Sequence, residues 1–272
     1  MAPRVDPGVQ ATAFLAAACR AVEQDRPQPR LRDPFAASFV AARGPAQPGY
    51  RGLLEAGGDE VVTRTLLVDQ LLAAELAGPT APLVVNLGSG FCARPYRLDL
   101  SAAQLVLELD SPELHRLKSE VLGEAPATCP VRRIGADLRD QSALREVLAA
   151  ECGAASRVVV VSEGLLPYLP PPALTALAGT LADALPPGTV WLTDVVSADS
   201  ARQMAALAGG VGARVELHGL VSLDPFTEVG WEPADYRILP VARRGPIGRP
   251  GGAGHRSSHQ IVDGVLALTR RR

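Results

Sequence analysis

The sequence has few of the features that identify disulfide-rich, metal-binding or membrane-spanning proteins. Its four cysteines, Cys19, Cys92, Cys129 and Cys152, lie far apart and form no Cys-x-x-Cys pair. We therefore expect neither a disulfide framework nor a zinc site. No uninterrupted apolar run reaches the roughly 18 residues that a membrane span requires. We accordingly expect no membrane partner.

The sequence also lacks an excess of charge of one sign. Its 27 lysines and arginines nearly balance 29 aspartates and glutamates, and the formal net charge is -2. Because nucleic-acid binding usually needs a basic face, we expect no nucleic-acid partner. Residues 11–19 form an apolar stretch that superficially resembles a lipoprotein signal, but the stretch is short and its leader has one arginine offset by Asp6. We interpret it as a helix of the mature protein and predict a cytoplasmic location.

The first eighty residues have a helical pattern. Residues 9–24 and 59–77 both carry apolar side chains at helical spacing. Prolines and glycines between these two segments, including the stretch from Gly44 to Gly49, mark turns. We therefore predict a helical cap or lid over residues 1–80 and a second domain over residues 81–272.

Beyond the predicted cap, short β-rich runs alternate with helical segments. This alternation predicts a doubly wound α/β fold with a mostly parallel sheet. The run Val158–Val161 is apolar at every position, as in a central strand that is buried on both faces. We also predict a helix over 200–208, an exposed loop over 243–255 and a terminal strand over 260–268. The five runs are Leu83–Asn86, Leu105–Leu109, Val131–Ile134, Val158–Val161 and Val190–Val195.

The most informative segment is an apolar run that leads directly into Gly88-Ser89-Gly90. Glycine lacks a β-carbon, so the backbone can approach a ligand closely and adopt dihedral angles that larger residues avoid. Such a turn is also consistent with a strand-to-helix connection that binds nothing. Asp110 favours a nucleotide ligand, because it ends the next apolar run about 20 residues later, where a carboxylate can accept both ribose hydroxyls. The alternatives for Asp110 are a solvated acid at a strand end and a cap for the helix that begins near Ser111.

Two further acids follow strand ends in the same way. Asp137 comes after the third run and is placed to orient an adenine amino group, with Leu138 packing on the ring. Glu163 follows the all-valine run. The carboxyl ends of parallel strands open on one side of the sheet, so one ligand can contact all these acids. Tyr168 lies shortly after Glu163 and either lines this site or packs in the core.

Four segments carry a family resemblance: Val85–Gly90, Glu108–Asp110, Ile134–Asp140 and Ser162–Tyr168. They resemble the leucine carboxyl methyltransferase family, which includes bacterial polyketide O-methyltransferases. The Gly-Ala-Asp-Leu-Arg-Asp string in the third segment is the most specific part. The resemblance implies a Rossmann-like class I methyltransferase fold and S-adenosyl-L-methionine as the cofactor.

The resemblance also implies a role for each matching residue. Gly88 in the glycine turn would lie against S-adenosylmethionine, and Asp110 would bind its ribose. Asp137 and Leu138 would hold its adenine. Glu163 would contact the amino group at its methionine end.

Several arginines carry separate expectations. Arg64 lies in the helix before the first strand, where the family has an arginine that binds the methionine carboxylate, and a bidentate guanidinium suits that group. A surface position is the alternative for Arg64. A second basic contact of the family has only Arg20 as a loose counterpart and is not assigned. Arg94 and Arg97 are expected to face solvent, with attraction of a substrate carboxylate as the alternative.

The implied reaction is O-methylation by direct displacement. The acceptor is expected to be a small, polyketide-like molecule with a carboxylate or a phenolic hydroxyl, although the C-terminal carboxylate of a protein is also compatible. No residue is an unambiguous general base, which leans toward a carboxylate because that group is already ionised. His218 is a candidate base for a phenol. The sequence after residue 197 departs from the family pattern, so the acceptor's identity does not transfer.

Two other functions remain open at this point. A nicotinamide-dependent oxidoreductase is one, because Gly88–Ala93 satisfies Gly-x-Gly-x-x-Ala with an acid downstream. The helical leader and the additional acids disfavour it. A non-catalytic protein that retains the fold is the other. His255 and His259 are four residues apart, but no acidic or cysteine ligand accompanies them and no metal is expected.

Overall fold

The computed structural model describes residues 7–42, 50–210, 216–240 and 261–271. The helices are α1 (Pro7–Gln24), α2 (Ala36–Ala42), α3 (Tyr50–Leu76), α4 (Arg94–Arg97), α5 (Pro112–Leu122), α6 (Gln141–Cys152), α7 (Pro171–Ala184), α8 (Ala198–Gly210) and α9 (Asp224–Thr227). The strands are β1 (Leu83–Leu87), β2 (Leu105–Asp110), β3 (Val131–Gly135), β4 (Val158–Ser162), β5 (Val190–Val195), β6 (Trp231–Ile238) and β7 (Gly264–Arg270).

Within the described residues, seven strands form one sheet in the order β3-β2-β1-β4-β5-β7-β6. Strands β1 to β5 are parallel, whereas β7 runs antiparallel to both β5 and β6. The all-valine strand β4 is central and buried at every position. Strand order reverses between β1 and β4, and such a reversal opens a crevice at the carboxyl ends of the strands.

The two faces of the sheet are covered by different helices. Side chains alternate along each strand, so Val85 packs on one face with α6 and α7. Its neighbour Val84 packs on the other face with Val68 and Leu72 of α3. Fully burying one such apolar side chain contributes about 1.5 to 3 kcal/mol. The C-terminal part of α3 is therefore a covering layer of the sheet.

A third apolar cluster joins the first helices to the glycine turn. The ring of Phe91 lies 4.7 Å from that of Phe14 in α1 and 4.8 Å from that of Phe39 in α2, measured between centroids. Leu114 of α5 belongs to the same cluster. This packing fixes α1 and α2 beside the carboxyl ends of β1 and β2.

Two helix starts follow from local sequence chemistry. Pro112 occupies the first turn of α5, where a missing backbone N–H is tolerated. The Ser111 side chain caps that helix by accepting from the backbone N–H of Leu114. Asp140 caps α6 by accepting from the N–H groups of Ser142 and Ala143.

The predicted fold class is confirmed, and all five predicted runs are strands whose boundaries agree to within one residue. The predicted helix over 200–208 lies inside α8, and the terminal strand begins later than predicted, at Gly264. Strand β6 and helix α2 were not predicted. The expected turn over 44–49 and the loop over 243–255 lie outside the described residues.

The remaining structural expectations concern thiols and membranes. All four cysteines are free thiols in the structure. None of the helices in the described part of the chain is long and apolar enough to cross a membrane.

Candidate active site

The glycine turn follows β1 and bends sharply. Gly88 and Gly90 have φ angles of 62° and 40°, which side chains with a β-carbon rarely allow. A β-carbon at Gly88 would lie 3.2 Å from Cδ1 of Leu165. Between the two glycines, the Ser89 hydroxyl lies 3.3 Å from Nε2 of His115. The turn thus presents backbone, with little side-chain bulk, to the space beyond β1.

The Asp110 carboxylate braces this turn from the end of β2. Its Oδ2 accepts from the backbone N–H of Gly90 at 2.7 Å, and its Oδ1 accepts from that of Ser111 at 2.6 Å. Burial raises the pKa of Asp110, and the two N–H groups partly oppose this rise. Because Ser111 is the cap of α5, the capping alternative for Asp110 is wrong.

The loop after β3 holds Asp137 and Leu138. The two carboxylate oxygens of Asp137 accept from Nε and Nη2 of Arg139 at 2.9 and 2.8 Å. These bonds lower the pKa of Asp137 and keep it ionised. Leu138 is 8% exposed and provides an apolar surface beside this carboxylate.

Arg64 of α3 reaches the carboxyl ends of β4 and β5. Its Nε donates to Oε1 of Glu163 at 3.2 Å, and its Nη1 donates to Oδ2 of Asp194 at 3.1 Å. The hydroxyl of Thr65 donates to the same Glu163 oxygen at 2.6 Å. The surface alternative for Arg64 is therefore wrong, because its side chain is 16% exposed and paired with two acids.

The solvent-facing expectation for Arg94 and Arg97 is also wrong. Nη2 of Arg94 donates to Oε2 of Glu163 at 2.5 Å, and its Nε donates to Oδ1 of Asp69 at 2.6 Å. Arg97 donates from both Nη atoms to the Asp69 carboxylate, at 2.7 and 2.9 Å. Asp69 lies on α3, so its carboxylate joins that helix to the two arginines of α4. Both arginine side chains are 5% exposed and reach across to α3, a contact that sequence spacing does not reveal.

These six side chains form a chain of alternating charge, which we call the ion chain. Burial alone would raise the pKa of Glu163, but Arg94 and Arg64 outweigh burial and hold that pKa well below its usual range. Asp194 also accepts from the backbone N–H of Gly164 at 2.7 Å, and this bond fixes the turn after Glu163. In order, the ion chain consists of Asp194, Arg64, Glu163, Arg94, Asp69 and Arg97.

One cavity of about 360 Å³ brings the predicted site residues together. It opens at the carboxyl ends of β1 to β4, where strand order reverses. The predicted residues that line it are Arg64, Gly88, Ser89, Gly90, Asp110, Asp137, Leu138, Glu163 and Tyr168. Its lining also includes Asn86, which sequence reasoning did not assign to the site, and Arg94 and Arg97, for which a place at the site was only the alternative.

Another part of the cavity lining is largely apolar. Leu15 of α1, Leu169 and Met204 of α8 contribute to it. Tyr168 also lines the cavity rather than packing only in the core, and its hydroxyl bonds to Thr12. Burial raises the pKa of Tyr168, so this phenol is neutral at physiological pH.

The remaining candidates are Arg20, which was not assigned, His218, and the pair His255 and His259. Arg20 lines the cavity, but its Nε donates to Asp33 at 2.7 Å and its Nη2 donates to the Phe91 carbonyl at 2.8 Å. His218 lies beside a separate, smaller pocket. His255 and His259 lie outside the described residues, among which no cluster of three metal-binding side chains occurs.

The sheet order and the strand-end cavity define a class of protein. The order 3-2-1-4-5-7-6 with an antiparallel β7 is that of Rossmann-like class I methyltransferases, and it differs from the order 3-2-1-4-5-6 of dinucleotide-binding domains. A crystal structure of a SAM-dependent methyltransferase from Anabaena variabilis has a TM-score of 0.55 at 12% identity. The alignment covers 99% of this chain and 97% of that one.

Sequence comparison places the chain within that class. Two relatives carry the name "Putative S-adenosyl-L-methionine-dependent methyltransferase". The one from Mycolicibacterium gilvum is 33% identical over 82% of this chain and 83% of its own length. The one from Mycobacterium marinum is 32% identical over 83% of each. The leucine carboxyl methyltransferase family matches residues 13–182.

The chain therefore belongs to the leucine carboxyl methyltransferase family of S-adenosylmethionine-dependent methyltransferases. The family and cofactor predicted from the sequence are confirmed. Family membership and strand order together decide against the oxidoreductase alternative.

Proposed function

We propose that the protein transfers a methyl group from S-adenosylmethionine to an oxygen atom of a small, polyketide-like molecule, at a carboxylate or a phenolic hydroxyl. The observation that carries this proposal is the cavity of about 360 Å³, which joins the strand-end residues of the sheet to an apolar wall beside α1 and α8. Charged and apolar linings in one space suit a cofactor and an acceptor held side by side. The C-terminal carboxylate of a protein is the second candidate acceptor.

The residues present fit the cofactor. The glycine turn gives close backbone approach, and the buried Asp110 carboxylate is braced to accept from the ribose hydroxyls. Asp137 and Leu138 would hold the adenine. Arg64 supplies a cation for the methionine carboxylate, and the ionised Glu163 supplies an acceptor for the ammonium group.

When bound, S-adenosylmethionine supplies a methyl group on a positively charged sulfur. The protein's own contribution is to align the acceptor oxygen with that methyl group and to exclude water. The apolar side chains of Leu169 and Met204 provide the water-poor wall. A carboxylate acceptor needs no base because it is already ionised, whereas a phenol releases its proton to solvent or to a base.

We further propose that residues 1–80 act as a helical cap on the domain formed by residues 81–272. Support comes from α1, which lines the cavity through Thr12, Leu15 and Arg20, and from α3, which contributes Arg64. On this arrangement the cap is part of the site.

The test is transfer of radiolabel from S-adenosylmethionine to a fractionated extract of the source organism. We expect label in a small-molecule fraction, and less label at a limiting S-adenosylmethionine concentration when Asp110→Ala replaces the wild-type protein. Mild alkali then distinguishes a carboxylate acceptor from a phenolic one, because a methyl ester releases its label and a methyl ether does not. Label confined to protein would favour the C-terminal carboxylate of a protein as the acceptor. No transfer with any fraction would favour a non-catalytic protein that retains the fold.

A further inference from the structure

The ion chain contains one arginine, Arg94, each of whose three nitrogens contacts an atom of this chain. Nε of Arg94 donates to Asp69, and its Nη1 lies 3.4 Å from the Cys92 sulfur. Its Nη2 donates to Glu163 at 2.5 Å and lies 3.4 Å from the Thr65 carbonyl oxygen. The residue is 4% exposed although it borders the cavity.

We propose that Arg94 is a positioning residue, which keeps the Glu163 carboxylate ionised and turned toward the methionine end of the cofactor. This inference rests on the proposed function, because Glu163 is there the acceptor for the cofactor's ammonium group. Arg94 acts through Glu163, since its own nitrogens are occupied by protein atoms.

Geometry supports this role from two directions. A planar guanidinium that bonds two carboxylates at once has its orientation fixed by both. Asp69 holds one side of Arg94, and Arg97 in turn neutralises Asp69 through two short bonds. Glu163 receives the other side, so its Oε2 is held on Arg94 while its Oε1 accepts from Thr65 and Arg64.

Electrostatics assigns different tasks to the two arginines on Glu163. Arg64 also bonds Asp194 and is the proposed partner of the cofactor's carboxylate. Among the charged groups, Arg94 lowers the pKa of Glu163 the most, whereas burial would raise that pKa. Removal of Arg94 therefore raises the pKa of Glu163. A protonated Glu163 is a poor acceptor for an ammonium group, so affinity for the methionine end falls as the pH falls.

The experiment compares S-adenosylhomocysteine with 5′-methylthioadenosine, which lacks the amino-acid end, by calorimetry on the full chain. For Arg94→Gln we expect binding of S-adenosylhomocysteine to weaken several-fold relative to wild type, and by a larger factor at about pH 6 than at about pH 8. The affinity of this variant for 5′-methylthioadenosine should match that of wild type at both pH values. Arg94→Lys, which retains the charge, should restore most of the pH independence.

Arg133→Gln is the matched control. Arg133 also pairs with a buried acid, donating from Nε to Oε2 of Glu108 at 2.9 Å, but it does not belong to the cavity lining. The Arg133→Gln variant should leave the ratio of the affinities for S-adenosylhomocysteine and 5′-methylthioadenosine unchanged. If Arg94→Gln fails to fold, Asp69→Asn, which loosens Arg94 without removing it, should give the same pH signature more weakly.

Two results would overturn the role of Arg94. One is binding of S-adenosylhomocysteine by Arg94→Gln that equals wild type at both pH values. The other is an equal loss for both ligands, which would mean general damage to the cavity. A wild-type protein that binds the two ligands equally well would instead refute the assignment of Glu163, and the proposed arrangement of the cofactor with it.

Discussion

Asp110 bonds two backbone N–H groups at the edge of the cavity, and a single substitution separates its possible roles. We expect Asp110→Ala to weaken binding of S-adenosylhomocysteine by roughly 1 to 3 kcal/mol, because a charged acceptor for the ribose is lost. Calorimetry measures this change. Unchanged affinity would restrict Asp110 to bracing the glycine turn.

Asp140 provides the control for Asp110. Its carboxylate also accepts two backbone N–H groups, at the start of α6, but it does not line the cavity. Asp140→Ala should cost about 1 kcal/mol in the free energy of unfolding, as is usual for a lost helix cap. Its affinity for S-adenosylhomocysteine should equal that of wild type.

His115 gives the molecule a pH-dependent stability. Burial, with Lys118 nearby, lowers its pKa from 6.5 to about 4 in the folded state. The unfolded chain therefore binds a proton there more readily, so stability falls as the pH drops from about 6.5 toward 4. We expect His115→Gln to remove roughly 2 kcal/mol of this loss. Urea unfolding of both proteins across that range measures it, and parallel pH profiles would contradict the account.

The strand pattern revealed the site residues that follow strands, and Arg64 inside α3 came only from the family resemblance. Other site residues inside or between elements were missed. Asp110, Asp137 and Glu163 end or follow apolar runs, so their position at the sheet edge could be inferred. Asp194 lies within β5, one residue before its end, and was hidden by the run around it. Arg94 and Asp69 are 25 residues apart and come together only in the tertiary structure, which no local pattern encodes.

At the scale of elements, β6 shows where pattern reading ends. A strand is predicted from alternating or continuous apolar residues, but only Trp231 of β6 is buried, and Pro233 interrupts the pattern at a bulge. Proline and exposed charges are common in edge strands because they hinder pairing with another chain. β6 is such an edge strand, and its proline and exposed charged residues interrupt the apolar pattern from which a strand is predicted. The internal parallel strands are buried on both faces, so their apolar runs predicted them directly.

Trp231 anchors this edge strand to the core. Its ring centroid lies 5.3 Å from that of Trp191, and its Nε1 donates to the Ala178 carbonyl at 2.9 Å. We expect Trp231→Ala to reduce the free energy of unfolding by roughly 3 to 5 kcal/mol. Denaturant unfolding measures the change.

The adjacent residue supplies a control for that measurement. Glu232 is on the same strand, and its carboxylate pairs with Arg271 at 2.6 Å in an exposed position. Glu232→Ala should change stability by less than about 1 kcal/mol, because exposed ion pairs contribute little. Similar losses for both variants would show that β6 responds to any change and that Trp231 is no anchor.

At the scale of the whole molecule, the first helices and the sheet contribute to one cavity. Asp110, Asp137 and Glu163 come from the sheet, whereas Arg64 comes from α3. The aromatic packing of α1 and α2 on Phe91 holds the remaining helices against the glycine turn. The affinity of a ligand that spans the cavity would therefore depend both on the first helices and on the sheet.

The central claim is that the methionine end of the cofactor binds Arg64, and Arg64→Lys tests it most directly. Lysine keeps the charge but cannot reproduce paired bonds from a planar guanidinium. Calorimetry should show at least several-fold weaker binding of S-adenosylhomocysteine, with affinity for 5′-methylthioadenosine almost unchanged. Equal losses for both ligands, or no loss for either, would contradict a cofactor site shared by α3 and the sheet.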